Sequence, residues 1–174
     1  MIRKRLYRKL YTSYLRIKGA RIGKNSGIDY RSEITKPKAL QIGDNSVIYK
    51  NVTIYNSLEG KVSIGEGSHI APFGYLLTKS HQIKIGNQVA IGPFCSFFSH
   101  SNDLQSTDKA FANSYLDADI IIGNNVFIGA QTVVTAGAII HDNVAIGANS
   151  LVTGELESGF LYGGSPVRKI RKLD

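Results

Sequence analysis

Ile122, Ile128, Val134, Ile140, Ile146 and Val152 recur every six residues without a slip. A helix repeats its apolar positions every three or four residues and an ordinary half-buried strand alternates strictly, so neither produces this period. Four positions after each aliphatic stands a small or β-branched residue, at Val126, Thr132, Ala138, Val144 and Ser150. Three positions after it come Asn125, Gly137, Asn143 and Asn149, residue types that tolerate a positive φ. An inward aliphatic, a left-handed corner and a small inward residue describe a short strand plus a bend. Repeated, that unit is a solenoid, and the pattern predicts a parallel β-helix.

Earlier hexads start at Ile22, Ile28 and Ile34, then at Ile42, Ile48 and Ile54, at Ile64, Ile70 and Leu76, and at Ile85, Ile91 and Phe97. Register breaks after every third hexad. The spacing predicts about six three-sided coils of eighteen residues, with two to four extra residues bulging at one edge in the early coils. Between Ile85 and Ile122 lies one coil plus a nineteen-residue insertion, which predicts a single protruding loop over residues 102–119. After Val152 the repeats stop.

Residues 2–17 change the period. Ile2, Leu6, Tyr7, Leu10, Tyr11, Tyr14 and Leu15 fall at helical spacing among Arg3, Lys4, Arg5, Arg8, Lys9 and Arg16, which predicts a basic amphipathic helix. It can cap the open first coil, as a solenoid edge requires, or meet an anionic membrane surface or a lipid-linked substrate. The expected organisation is a helical cap over 1–19, an all-β repeat domain over 20–157 and a C-terminal basic tail over 158–174.

At 174 residues and 43% hydrophobic, the chain suits one domain with a sizeable core. Of its net charge of +8, residues 1–24 hold nine Lys/Arg and no acid, and residues 168–172 hold four more. Two local basic features argue against a broad nucleic-acid footprint. The single cysteine, Cys95, falls at a small inward position, so packing is its expected role and a reducing compartment is expected. No apolar run reaches the length of a membrane span and the N-terminus is too charged for a signal peptide, so a cytoplasmic protein is expected.

Among candidate chemical groups, His100 stands at a corner position, three after Phe97, at the mouth of the long loop in the stretch SHSND. By coil count Gly137 lies above it and Lys79 below, leaving open space on one side. An imidazole there can act as a general base near neutral pH, and histidine also suits a left-handed corner for purely conformational reasons. Asp103 is the first candidate to orient it, with Asp119 and Asn102 behind. His69, His81 and His141 read as surface residues. The four histidines show no close pair, so no metal site is expected.

The Ile-Gly pairs with Asn at the corner, the histidine-bearing loop and the ending IGANSLVTGELESGFLYGGSPVRKIRK together resemble the left-handed β-helix acetyltransferases of the hexapeptide-repeat superfamily. More narrowly, the chain is similar to sugar O-acetyltransferases of capsule, exopolysaccharide and lipopolysaccharide synthesis. That resemblance implies a homotrimer with active sites between subunits, acetyl-CoA as acyl donor, a sugar or glycan acceptor, and His100 as the catalytic base. It also implies that the coenzyme arm runs along the last coils. There Gly129 and Ala130 stack beneath Gly147 and Ala148 by coil count, and Arg168, Lys169, Arg171 and Lys172 would meet the nucleotide phosphates. Asn102, Phe94 and Lys79 are candidate acceptor contacts, although Phe94 and Phe127 stand where these enzymes often carry asparagine and tryptophan. The alternatives are an N-acetyltransferase on a nucleotide amino sugar, a metal-dependent hydratase of the carbonic-anhydrase type, and a non-catalytic β-helix scaffold.

Overall fold

The computed structural model describes residues 2–103 and 108–173, with side chains from residue 5 onward. One helix, α1 (Ile2–Ile17), is followed by short parallel strands that wind into a three-faced, left-handed β-helix. Seven strands form the first face, seven parallel strands and one antiparallel strand the second, and six the third. The hexad aliphatics from Ile28 to Val152 point inward, and Phe97 is the largest of the fully buried side chains. Burying each such side chain contributes about 1.5–3 kcal/mol, so a single file of them supplies the driving force for stacking.

The corners have the predicted conformation. Asn25, Asn45, Asn51, Asn125, Asn143 and Asn149 all have φ between 53° and 57°, and Gly67 and Gly137 join them. Five residues that no turn chemistry announces also have a positive φ: Leu58, Phe73, Gln88, Phe94 and Gln131. At the corner between the first and second faces, side-chain oxygens of Asp44, Asn87, Asn124 and Asp142 accept the backbone N–H of Lys24, Glu66, Asn87 and Asn124 respectively. At these four steps one corner is tied to the next by a side chain standing in for a missing backbone acceptor.

The extra residues of the early coils do not bulge. They lengthen the strands on either side of the corner between the third and first faces, as in Thr53–Asn56, Lys61–Ile64, Tyr75–Thr78 and Gln82–Ile85. Alternation continues through the added residues, so Val62, Ile83 and Ile120 become a second buried row beside Ile64, Ile85 and Ile122. Asn56 and Thr78 also turn inward, and the Thr78 hydroxyl donates to Asn56 Oδ1 at 2.7 Å.

Strand pairing also continues past Val152. Ile140 pairs with Leu156 sixteen residues on, where the preceding step from Ile122 to Ile140 is eighteen. The turn around Gly154 is two residues short, which shifts the hexad onto Leu156 and Tyr162 and hides it from a fixed period. Phe160–Gly163 then extends the second face, and Arg168–Lys172 folds back antiparallel to it. The basic tail is therefore a strand that finishes one edge of the prism.

At the other end α1 closes the first coil. Leu15 is buried, the Thr12 hydroxyl accepts the Ile28 N–H, Tyr11 Oη donates to Ser32 O, and the Arg16 guanidinium donates to Ile22 O and Gly23 O. These bonds occupy backbone groups that a seventh coil below would otherwise have taken.

Candidate functional site

The long insertion leaves the third face of the fourth coil as a two-stranded antiparallel ladder. His100–Asn102 pairs with Tyr115–Asp117, so that His100 faces Asp117, Ser101 faces Leu116 and Asn102 faces Tyr115. A clasp closes the coil at the base of this hairpin, where the Ala118 N–H donates to Ser99 O at 2.9 Å. His100 therefore lies in extended backbone and not at a left-handed corner. Gly137 stacks over the returning chain, donating to Asp119 O and lying nearest Ala118.

The pairing decides which acid meets the imidazole. His100 Nδ1 lies 3.8 Å from Asp117 Oδ2, outside hydrogen-bond range, and both side chains are largely enclosed. Nδ1 and Asp117 Oδ1 are buried, with no hydrogen-bond partner among the described residues. Tyr115 stacks on His100 with ring centroids 5.1 Å apart, and Lys79 Nζ stands 4.9 Å from the centroid of the same Tyr115 ring. Burial pushes the His100 pKa below its ordinary value, the Lys79 charge pushes the same way, and Asp117 opposes both. Both effects favour the neutral imidazole, one of whose nitrogens faces a carboxylate.

Asp103, the first sequence candidate for that carboxylate, is carried away to the far end of the ladder, where its N–H donates to Ser114 O. Asn102 is engaged by the loop, its Nδ2 donating to Phe111 O at 2.7 Å. Asp119 accepts from His81, 2.9 Å away, and from Gln82 N and Nε2. Burial opposes its ionisation, but these partners outweigh that and hold its pKa below the ordinary value. The signal for Asp117 lay in the insertion's symmetry: once the chain leaves after Ser99 and returns at Ala118, residues counted equally inward from the two ends must pair.

The predicted donor edge divides in two. Gly129 is buried, and a Cβ there would lie 2.4 Å from Ala148 N, so its size serves the stacking of coils. Ala130, Gly147 and Ala148 reach the surface, and a Cβ on Gly147 would meet nothing nearer than 3.6 Å. Gly147 donates to Tyr162 O, and the next rung pairs Gly163 with Arg168, so the first cation of the tail belongs to the same edge. Lys169 Nζ is engaged by Glu157 at 2.8 Å and lies 4.0 Å from the Phe160 ring centroid. Arg168 and Arg171 stand exposed on the same strand.

Phe94 belongs to this corner too. Its ring stacks on Phe73 with centroids 4.8 Å apart and planes 1° from parallel, both residues in left-handed backbone and both exposed. The third face separates the corner from His100. From Gln131 to Gly137 the chain crosses that face, a span of about 20 Å at 3.3 Å per residue. Within one copy, His100, Lys79 and Asn102 are brought to one edge, and Phe94, Ala130, Gly147, Ala148 and Arg168 to the other.

Among the described residues no three His, Cys, Asp or Glu side chains converge as metal ligands. His141 pairs with Glu155 at 2.6 Å, and His69 packs edge-on against Tyr49. Cys95 is buried, its thiol donating to Gly129 O, and burial pushes its pKa up.

Residues 119–154 match the family model for bacterial transferase hexapeptide repeats. The crystal structure of AntD, an N-acyltransferase from Bacillus cereus, in complex with dTDP and 3-hydroxybutyryl-CoA, superposes with a TM-score of 0.81 at 27% identity, over 93% of this chain and 88% of that one. In repeat, fold and sequence the chain is thus similar to the hexapeptide-repeat acetyltransferase superfamily. Within that superfamily it is 38% identical to Protein CapG of Staphylococcus aureus over 56% of each chain. It is 28% identical to the galactoside O-acetyltransferase of Escherichia coli K12 over 86% of this chain and 71% of that enzyme. The match thus spans little more than half of CapG.

Proposed function

We propose that the protein transfers an acetyl group from acetyl-CoA to a hydroxyl of a sugar, a surface polysaccharide or its precursor, by direct attack with His100 as general base. The observation that carries this reading is the enclosed imidazole with Nδ1 turned toward Asp117. A proton on Nδ1 suits the carboxylate and leaves Nε2 with its lone pair for the acceptor. As the acceptor oxygen bonds to the thioester carbon, its proton passes to Nε2. The tetrahedral oxyanion collapses, the C–S bond breaks, and the leaving thiolate takes the proton back from the imidazolium, giving ester and free coenzyme A. No covalent enzyme intermediate is needed. The donor is a cytoplasmic metabolite, and the reaction belongs in that compartment.

The separation of the two edges supports a site shared between copies. A thioester at His100 of one copy would have its pantetheine arm beside Ala130, Gly147 and Ala148 of a neighbour, with Arg168 and Arg171 of that neighbour on the phosphates. A cyclic trimer supplies three equivalent sites of this kind. Phe94 then contacts acceptor bound at the neighbouring copy's His100, beside Asn102 and Lys79.

The likeness to AntD, an N-acyltransferase, favours a second reading in which the acceptor is an amine on a nucleotide-linked sugar. The two differ in their need for a base, because an amine that arrives neutral is already nucleophilic. The test is thiol release from acetyl-CoA with a panel of saccharides and nucleotide amino sugars, comparing wild type with His100→Ala. Loss of roughly 10²–10⁴-fold on a hydroxyl acceptor is expected. Full activity of His100→Ala on that acceptor overturns the mechanism, and turnover of amino sugars alone moves the reading to N-acylation.

A further inference from the structure

Helix α1 buries one face on the first coil and leaves another bare. Tyr11, Thr12 and Leu15 point into the prism, while Leu6, Leu10, Tyr14 and Ile17 line the outward face at four- and three-residue spacing, each at least half exposed and Ile17 84% exposed. Capping the coil accounts for the inner face alone. Four large apolar side chains on about three turns of one helix form a stripe of the kind that marks an interaction surface.

The charges beside the stripe are of one sign. Arg5, Lys9 and Arg16 lie along one flank of α1, where with Arg8 they line a cleft of about 600 Å³ against Asn25 and Ser26. On the other flank Lys18 Nζ stands 5.8 Å from the Tyr14 ring centroid. The nearby acids belong to the prism and not to the helix: Asp29 is held by Arg31 at 2.9 Å, and Glu33 sits near Tyr11 on the packed side. An apolar stripe bordered by cations, with no acid in the first 24 residues, is complementary to a surface that is apolar within and anionic at its rim.

We propose that α1 docks the protein on an anionic lipid bilayer, its stripe entering the interface and Arg5, Lys9 and Lys18 meeting lipid phosphates. Because α1 closes the end of the prism, docking stands the β-helix upright on the membrane. His100, three coils above the first, then lies about 14 Å above the first coil at a rise of about 4.8 Å per coil. A saccharide attached to a lipid by a phosphate bridge reaches that height within a few sugar units. Among the described residues no helix is long and apolar enough to cross a membrane, and the docking proposed is attachment at the surface.

The test is flotation of the full chain with phosphatidylcholine vesicles, with and without phosphatidylglycerol, alongside sedimentation velocity without lipid. Binding to the anionic vesicles alone is expected, released by salt, and reduced roughly tenfold or more by the double substitution Leu10→Ser, Ile17→Ser. The double substitution Arg5→Glu, Lys9→Glu should abolish binding while thermal unfolding is unchanged. Failure of wild type to float with anionic vesicles, or flotation indifferent to both doubles, overturns the proposal. So does conversion of an oligomer to monomer by Leu10→Ser, Ile17→Ser, which would make the stripe a contact between copies. None of these outcomes bears on acetyl transfer by the soluble enzyme, which is assayed separately.

Discussion

His100 and Asp117 face each other across the first rung of an antiparallel hairpin, with 3.8 Å between Nδ1 and Oδ2 and, among the described residues, no other partner for the imidazole Nδ1. In the proposed mechanism that arrangement separates the roles of base and orienter. Replacing Asp117 with Asn keeps the shape and removes the charge that favours the Nδ1–H tautomer. The expected result is a fall in kcat/KM of about tenfold or more, smaller than the loss in His100→Ala. The far-ultraviolet spectrum and unfolding temperature should not change. Asp103→Asn, at the other end of the ladder, should leave the rate within about twofold if Asp117 is the orienter.

The pH dependence gives an independent check. Burial and Lys79 both hold the His100 pKa below the ordinary imidazole value of about 6.5, so the acid limb of kcat/KM should fall below that value, with activity rising as the base deprotonates. Lys79→Met removes a cation and should move the limb upward. Asp117→Asn removes an anion and should move it downward. Two substitutions that shift the same limb in the same direction would show that the limb does not report His100.

Stability carries the same shift with its own sign. A histidine whose folded pKa is depressed binds its proton more readily in the unfolded chain. Stability should therefore drop as pH falls through the window between the unfolded value of about 6.5 and the lower folded value, and then level off. Urea titrations across that window should show the slope in wild type and a weaker one in His100→Gln.

Gly129 and Gly147 occupy neighbouring rungs of one corner and should answer differently to alanine. At Gly129 the new Cβ would lie 2.4 Å from Ala148 N, so the coils must separate and the unfolding temperature should fall. At Gly147 the nearest atom would be 3.6 Å away, so the fold should hold while KM for acetyl-CoA rises if the pantetheine arm runs along that edge. An unchanged KM in a stable Gly147→Ala protein would remove the edge from the donor site.

Acetyl-CoA should raise the unfolding temperature, since a ligand at one hundred times its Kd adds about 2.7 kcal/mol per site. Arg168→Ala should diminish the shift, and added salt should do the same to wild type. Absence of a shift together with no heat of binding would favour a scaffold over an enzyme.

The hexad was legible because every coil must solve the same packing problem, so Ile122, Ile140 and their relatives repeat with the geometry. Val62, Ile83 and Asn56 were not, because added residues that continue a strand and added residues that bulge have the same length. The fold also hid behind a shortened turn at Gly154, where two missing residues look like the end of the repeat. At the site, His100 was legible as a histidine at the mouth of an excursion. Its partner was not, since Asp103 is near in sequence while Asp117 is near only after the hairpin closes. Phe73 and Phe94 adopt a backbone that Asn and Gly announce elsewhere, and here mutual stacking of two rings holds them in it.

The Ser99–Ala118 clasp closes its coil as though the eighteen residues between were absent. Such a joint makes the excursion an interchangeable head on a fixed handle. Under the proposed mechanism, evolution or engineering can replace the head, changing which acceptor is presented to His100, while the shaft below and above keeps its rungs and the edge at Ala130 and Gly147 keeps its shape. The one constraint that travels with any new head is at its neck, where a histidine and an acid must leave and return on the same rung.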